Sequence, residues 1–178
     1  MDDHELKHLL EQAPLADPTE EEWHHLLRCV ELAEEALAAD DEPFGSVLVS
    51  ADGRRLAEGR NRVVETGDRT QHPEIALARW AAEHLRQHQR EGATVFTSGE
   101  HCPMCAAAHG WVGLGRIVYV HSSEQLAEWL DELGVAPARV RTLPIGDVVR
   151  DVHVQGPVPD LVTRMRGLHE RFHQRRPT

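Results

Sequence analysis

Two short segments, thirty residues apart, carry residue types that can share one metal ion only if the fold brings them together. The first is His72-Pro73-Glu74 and the second is Cys102-Pro103-Met104-Cys105. Together they offer one imidazole, two thiolates and one carboxylate. A catalytic zinc ion generally takes three protein ligands and keeps its fourth position for water, whereas a structural zinc ion takes four. We therefore expect His72, Cys102 and Cys105 to bind Zn²⁺ and Glu74 to remain unligated.

Each segment also predicts the start of a helix. In the middle of a helix, residues two apart point in nearly opposite directions and cannot converge on one ion. Proline is favoured at the first helical position, because it lacks an N–H and its φ is already helical. Pro73 and Pro103 therefore place one ligand just before each helix. The positive end of each helix dipole favours thiolates and an ionised carboxylate there.

The predicted ligand set suits a metal ion that activates water. Zinc lowers the pKa of a bound water toward neutrality and so produces a nucleophile. Breaking the C–N bond of an amino-substituted heteroaromatic ring needs that nucleophile, and it needs protons delivered to a ring nitrogen and to the departing ammonia. Glu74, two residues from the ligand His72, is the candidate general acid and base.

Other interpretations of these residues stay open at this point. A Cys-x-x-Cys pair also occurs as a redox pair or as half of a structural zinc site. A closed structural site would need a fourth ligand, for which His101 and His109 are the candidates, although His101 adjoins Cys102 and simultaneous coordination there is awkward. The chain could also be a zinc-stabilised scaffold without activity, but such a protein has no need of Glu74.

Length, composition and charge limit the partners. The 178 residues fit one domain, and no apolar run approaches the roughly 20 residues that span a bilayer. The acidic N-terminus does not resemble a signal peptide, so we expect a cytoplasmic protein without a membrane partner. The net charge of −11 argues against nucleic acid as a partner, because nucleic-acid binding depends on Lys and Arg at phosphates. Five arginines do crowd the C-terminus, which we interpret as a solvated helix face and tail: Arg164, Arg166, Arg171, Arg175 and Arg176.

Hydrophobic periodicity and turn signals predict alternating helices and strands. The predicted helices start at Thr19 as N-cap, at Pro73 (to about Gln89), at Pro103 (to near Gly113 or Gly115), at Ser122 or Ser123 (to Leu133) and at Pro159 (to His173). The predicted strands are 45–50, 54–62, 93–97, 116–120 and 139–143. This order predicts an α/β fold with three layers, α/β/α, around a central mixed five-stranded sheet. Residues 1–18 are predicted to be a polar N-terminal arm, and residues 19–178 a single domain with a C-terminal segment of uncertain role from about 134.

From about Trp23 to Val120 the chain resembles the cytidine deaminase-like zinc superfamily, and most closely its guanine deaminase and tRNA-adenosine deaminase branches. The order His-x-Glu and then Cys-x-x-Cys is a general signature of zinc-dependent nucleobase deaminases. Four further features match in order: Pro43-Phe44-Gly45-Ser46-Val47, Gly59-Arg60-Asn61, Asp68-Arg69-Thr70 and Thr97-Ser98-Gly99-Glu100.

The resemblance implies a cytidine deaminase-like fold and a hydrolytic deaminase of a small amino-substituted purine or pyrimidine base or nucleoside. Guanine is the first candidate substrate; cytosine, cytidine or another amino-heterocycle is the alternative, and tRNA adenosine is a less favoured one. The resemblance also implies a homodimer, a hydrogen bond from Asn61 to the base, and packing of Phe44 against it. The alternatives are a strand-end cap for Asn61 and a simple core role for Phe44.

Two positions depart from the pattern of the superfamily. Pro73 stands where Ala is usual, and the helix-entrance argument tolerates this change. His101 stands where Pro is usual before the first cysteine. We therefore add His101 to the candidate substrate-binding residues, with a supporting position beside the metal or no role as its alternatives.

Overall fold

The structure is a computed structural model that describes residues 17–175. Most of the predicted N-terminal arm, residues 1–16, lies outside the described residues. The strands are β1 (Gly45–Val49), β2 (Arg55–Arg60), β3 (Thr94–Gly99), β4 (Arg116–His121) and β5 (Val154–Gln155). The helices are α1 (Glu20–Ala38), α2 (Val63–Thr66), α3 (Pro73–His84), α4 (Gln87–Glu91), α5 (Pro103–Val112), α6 (Ser123–Glu132) and α7 (Pro159–Gln174).

The five strands form one mixed sheet in the order β2-β1-β3-β4-β5. Strand β1 runs antiparallel to β2 and to β3, whereas β4 is parallel to both β3 and β5. The predicted α/β class and the central mixed five-stranded sheet are thus confirmed. Because β1 runs opposite to β3, the start of β1 lies at the same edge of the sheet as the ends of β2, β3 and β4.

Alternating residues of each strand face opposite layers of helices. Val47 and Phe96 pack with α1 and α7 on one face. Leu48 and Val95 pack with α3 and the end of α5 on the other face. Gly45 permits close approach of α1, since a Cβ there would lie 2.4 Å from Leu32 Cβ. The predicted three-layer arrangement follows from this alternation.

The helix starts that were predicted from capping residues are confirmed at α1 and α6. Thr19 forms the predicted capping box with Glu22 at the start of α1. Ser122 caps α6 in the same way, with its side chain accepting from Gln125 N–H. Among the described residues, no helix is long and apolar enough to cross a membrane.

Three predicted elements differ from the structure. The segment 139–143 is not a strand, because its side chains are exposed and Val140, at 60 % exposure, has no apolar surface to cover. The fifth strand is β5 instead. The helix predicted from Pro73 to Gln89 is interrupted at Leu85, whose backbone is extended. The segment between the predicted strand 54–62 and His72, where no helix is predicted, contains the short helix α2, because the fully buried Asp41 carboxylate accepts the N–H groups of Val64 and Glu65.

The buried histidines make the fold sensitive to acid. Burial lowers the pKa of His121 to about 4 and lowers that of His169 well below its usual value. Between roughly pH 6.5 and 4.5 the unfolded chain therefore binds more protons at these positions than the folded protein, and the free energy of unfolding falls as the pH falls. Each histidine contributes up to about 1.4 kcal/mol per pH unit. We expect the Tm of the purified protein to drop between about pH 7 and pH 5 in thermal melts.

The variant His169→Gln isolates this effect. Its Tm should fall less steeply with pH than that of the parent, whereas His153→Gln, at an exposed position, should keep the parental slope. The raised pKa of Glu74, caused by burial, acts in the opposite sense but is common to all three proteins. A slope in His169→Gln equal to that of the parent would contradict the assignment.

Candidate active site

The N-termini of the two predicted helices, at His72 and Cys102, meet at one point. His72 Nδ1 lies 3.5 Å from Cys102 Sγ and 3.6 Å from Cys105 Sγ, and the three ligand atoms all lie within 4.8 Å of one another. A tetrahedral zinc ion with its usual bond lengths separates a nitrogen and a sulfur ligand by about 3.5 to 3.6 Å. The donor set and its spacing therefore fit zinc.

The helix entrances have the predicted form. His72 is the N-cap of α3 and Cys102 is the N-cap of α5, and each is followed by proline at the first helical position. Backbone N–H groups of the first turns point at the sulfur atoms: Ile75 N–H at Cys105, and Cys105 N–H at Cys102. The positive ends of two helices thus face the metal ligands.

Without a metal ion, the three candidate ligands shift one another's pKa values. The hydrogen bond with Cys105 lowers the pKa of Cys102 to about 4, and the same contact, with burial, raises the pKa of Cys105. Burial lowers the pKa of His72, but its hydrogen bond to Cys102 and the charge of Glu74 outweigh burial and raise it to about 9. The metal-free site near neutral pH therefore holds one thiolate, one thiol and one imidazolium.

The two candidates for a fourth ligand lie outside this cluster. In the part of the chain that the structure describes, the metal-binding group contains His72, Cys102 and Cys105 and no other His, Cys, Asp or Glu. The His109 ring is turned toward the backbone, with Nε2 2.8 Å from the Gly115 carbonyl. His101 is 1 % exposed and packs edge-on against His109, with ring centroids 5.4 Å apart. A zinc ion held by these three residues would keep one position for water, as a catalytic site requires.

Glu74 lies in the first turn of α3 and is 6 % exposed. Burial raises the pKa of its carboxyl group, although the charge of His72 acts against this effect. Its Oε1 accepts a hydrogen bond of 3.0 Å from Thr97 Oγ1. Thr97 accepts in turn from Ser46 Oγ at 2.8 Å. The sequence patterns do not assign a role to this pair of hydroxyls.

Phe44 and Asn61 lie at the same edge of the sheet as the metal ligands. Phe44 directly precedes β1, Asn61 directly follows β2, and Asn61 N–H donates to the Phe44 carbonyl at 3.0 Å. The Asn61 side chain is 1 % exposed; its Oδ1 accepts from Val63 N–H, and its Nδ2 has no partner. A buried, unpartnered amide donor is costly unless a ligand uses it.

Sequence reasoning missed a cluster of rings around Phe44. His169 of α7 meets the Phe44 ring edge-on at 5.0 Å, and His121 lies 5.1 Å from both His169 and Trp129. Gly99 leaves room for this cluster, since a Cβ there would lie 2.7 Å from His121 Cε1. Helix α7 of the same chain therefore reaches Phe44. From the sequence, His169 and His173 are predicted to lie on a solvated helix face. This is wrong for His169, which is 2 % exposed, because α7 packs over the sheet.

A three-layer α/β/α fold with a His-Cys-Cys zinc site and a buried glutamate at the same helix entrance defines the zinc-dependent deaminases. Residues 19–121 match the family model for the cytidine and deoxycytidylate deaminase zinc-binding region. The chain belongs to this family, and its cofactor is zinc.

Individual relatives agree with this assignment. The chain is 35 % identical to guanine deaminase of Bacillus subtilis over 136 residues, which cover 72 % of this chain and 86 % of that protein. It is 39 % identical to tRNA-specific adenosine deaminase of Agrobacterium fabrum over 99 residues, covering 56 % and 64 %. The solved guanine deaminase of Nitrosomonas europaea superposes with a TM-score of 0.63 at 21 % identity, covering 93 % of this chain and 91 % of that one, and it shows likeness of fold.

Zinc binding should release protons. Metals bind deprotonated ligands, and at about pH 8 the His72 ring and the Cys105 thiol each carry a proton while Cys102 does not. One equivalent of Zn²⁺ added to the metal-free protein should therefore release about two protons from the ligands, and up to about one more from the bound water, measured with an indicator dye in weak buffer. The apparent affinity should weaken as the pH falls below about 9, because His72 is then protonated in the metal-free protein.

Cysteine variants provide the controls. Cys102→Ala should lose tight zinc binding, whereas Cys29→Ala, at a buried position outside the cluster, should bind zinc like the parent. Unchanged zinc affinity in Cys102→Ala would contradict the proposed ligand set.

Proposed function

We propose that this deaminase acts hydrolytically on a small amino-substituted purine or pyrimidine base, with guanine as the preferred substrate and ammonia as a product. The observation that carries the proposal is the buried Glu74 carboxylate beside a cluster of three metal ligands. Guanine is favoured because the guanine deaminase of Bacillus subtilis matches over 86 % of its own length.

In this proposal Glu74 moves the protons. Zinc held by His72, Cys102 and Cys105 would supply a water of lowered pKa. Glu74 would take one proton from that water and give it to a ring nitrogen as the oxygen adds to the ring carbon. It would then take the second proton from the hydroxyl group so formed and give it to the amino group, which leaves as ammonia when the C–N bond breaks and the carbonyl forms. Burial raises the pKa of Glu74, which brings it closer to the operating pH and suits a group that must both take and give a proton.

Asn61 and Phe44 are proposed to bind the base. The free Nδ2 of Asn61 is a donor for a carbonyl oxygen or an unprotonated ring nitrogen. The Phe44 ring, backed by His169, supplies a flat apolar surface for a heteroaromatic ring. For His101, contact with substrate stays a prediction. Its packing on His109 supports the alternative of a supporting position beside the metal.

The ion pairs of the C-terminal arginines favour a small ligand over nucleic acid. Arg164 pairs with Glu34, and Arg166 pairs with Glu132 and Glu170. Paired arginines contribute little positive field for a phosphate backbone. A tRNA substrate remains the alternative that the Agrobacterium relative suggests.

We further propose a homodimer in a reducing, cytoplasmic compartment. Trp111 on α5 is 90 % exposed, which is unusual for a large aromatic side chain unless another surface covers it. Cys102 and Cys105 must stay reduced to bind zinc, and reduced thiols persist in the cytoplasm. Neither statement is needed for the proposed chemistry.

An ammonia-release assay tests the function. Zinc-loaded protein is given guanine, guanosine, cytosine, cytidine, adenosine or a tRNA stem-loop. We expect release from guanine, and a loss of at least about 100-fold in kcat for Glu74→Gln, because general acid–base catalysis commonly contributes that much.

The matched control is Glu83→Gln, an exposed glutamate of the same helix, which should keep the parental rate. Release from the stem-loop alone would overturn the substrate class. No release from any of these compounds, with Glu74→Gln indistinguishable from the parent, would overturn the enzyme proposal.

Asn61→Asp tests the binding role of Asn61. The aspartate keeps an acceptor for Val63 N–H but lacks the Nδ2 donor, so the loop should persist while the base is bound more weakly. We expect KM to rise about tenfold or more, since a lost hydrogen bond facing a buried partner costs about 1–3 kcal/mol. Arg62→Ala, at the adjacent exposed position, should leave KM unchanged, and an unchanged KM in Asn61→Asp would contradict the role.

A further inference from the structure

Two fully buried hydroxyl groups connect the central strands to the glutamate beside the metal ligands. Ser46 on β1 and Thr97 on β3 are both 0 % exposed and are directly paired across these antiparallel strands. Ser46 Oγ donates to Thr97 Oγ1 at 2.8 Å, and Thr97 Oγ1 lies 3.0 Å from Glu74 Oε1. We propose that Thr97, held by Ser46, is a positioning residue that sets the orientation of the Glu74 carboxylate.

The count of hydrogen atoms fixes the direction of these bonds. A threonine hydroxyl has one hydrogen to donate and can accept from others. Since Thr97 accepts from Ser46, its hydrogen is free for one of two acceptors at 3.0 Å: Glu74 Oε1 and the Gly99 carbonyl. A carboxylate is the stronger acceptor, because charge-assisted hydrogen bonds are shorter and stronger than neutral ones. Thr97 therefore donates to Oε1 and fixes one oxygen of the carboxylate.

The position of Thr97 suits this task because the sheet is rigid there. Strands β1 and β3 lie inside the sheet, each with a partner on both sides. Glu74, in contrast, has a long side chain with several rotatable bonds, on a helix that packs over the sheet. Catalytic groups need to be held within about 0.5 Å of their productive position, and neighbouring hydrogen bonds supply that precision. The hydrogen bond from Thr97 holds the Glu74 carboxylate in a fixed position relative to the sheet.

Filling space between the sheet and α3 does not by itself require these hydroxyls. Neighbouring positions on the same face of the strands carry Leu48 and Val95, so apolar side chains fill this layer. Valine has nearly the shape of threonine and a high strand propensity, and burying a hydroxyl without a compensating partner is unfavourable. We infer that the Ser46–Thr97 pair is polar because Thr97 donates to the Glu74 carboxylate.

The kinetic part of the test rests on the proposed deaminase function, whereas the structural part uses crystallography and does not need activity. Thr97→Val removes the hydroxyl and keeps the shape, Thr97→Ser keeps the hydroxyl, and Ser46→Ala removes the donor behind it. Ser98→Ala is the matched control: Ser98 is equally buried, lies on the opposite face of β3, and accepts from Gly45 N–H at 3.1 Å. Each variant is assayed for zinc content, Tm, kcat and KM.

For Thr97→Val we expect one zinc per chain, KM within about threefold of the parent and kcat lower by roughly 10- to 100-fold, the usual effect of removing a group that orients a residue at a metal site. Thr97→Ser should recover most of kcat, and Ser46→Ala should lose less than Thr97→Val. Ser98→Ala should lower Tm without lowering kcat by more than about threefold. Parental kcat in Thr97→Val, or equal loss of kcat in Ser98→Ala, would overturn the inference.

Crystal structures of the zinc-loaded parent and Thr97→Val separate this inference from the function itself. We expect the Glu74 carboxylate of the variant to be displaced by more than about 0.5 Å or to occupy two conformers, because its anchor is missing. This result would support the positioning role even if the parent released no ammonia, an outcome that would refute only the proposed function. An unmoved, singly ordered Glu74 in Thr97→Val would overturn the inference whatever the activity.

Discussion

The structure depends on the convergence of two helix N-termini on one point at the edge of the sheet. Helices α3 and α5 each begin with a residue that faces the metal position, a proline, and a first turn that supplies a further side chain. The N–H groups of these first turns point at the cysteine sulfurs. This arrangement stabilises negative charge where zinc would bind and brings His72, Cys102 and Cys105 together from two parts of the chain.

The sheet topology decides what else reaches that point. Because β1 is antiparallel to both β2 and β3, the residue before β1 and the residue after β2 stand at the same edge as the carboxyl ends of the parallel strands β3 and β4. Phe44 and Asn61 therefore lie together, joined by a backbone hydrogen bond. Ligands of open α/β sheets bind at the carboxyl ends of their strands, and the mixed sheet adds two further segments to that edge.

Several residues outside the two metal-ligand segments support the site through buried polar contacts. The Asp41 carboxylate holds the short helix that follows Asn61. Glu100 accepts the N–H groups of Ser123 and Ile145, which ties the start of α6 and the segment before β5 to the end of β3. The Ser46–Thr97 pair extends the same principle to Glu74. Polar groups that are buried and fully paired specify one arrangement of the surrounding elements, because any other arrangement would leave them without partners.

The sequence alone determined the proline-started helices, the capped helix α1 and the α/β alternation, because each depends on residues close together in the chain. It also named the candidate ligands His72, Cys102 and Cys105, which the fold brings together. It did not determine the fifth strand: 139–143 has apolar residues but no surface to cover, whereas β5 is defined by pairing with β4. Helix α2 likewise depends on Asp41, more than twenty residues earlier. Three further features depend on how distant segments pack together. They are the inward position of His169, the unpartnered Nδ2 of Asn61 and the hydrogen bond from Thr97 to Glu74. Only the tertiary structure decides such contacts, since a local pattern carries no information about which distant side chain will fill a hydrogen bond or cover a face.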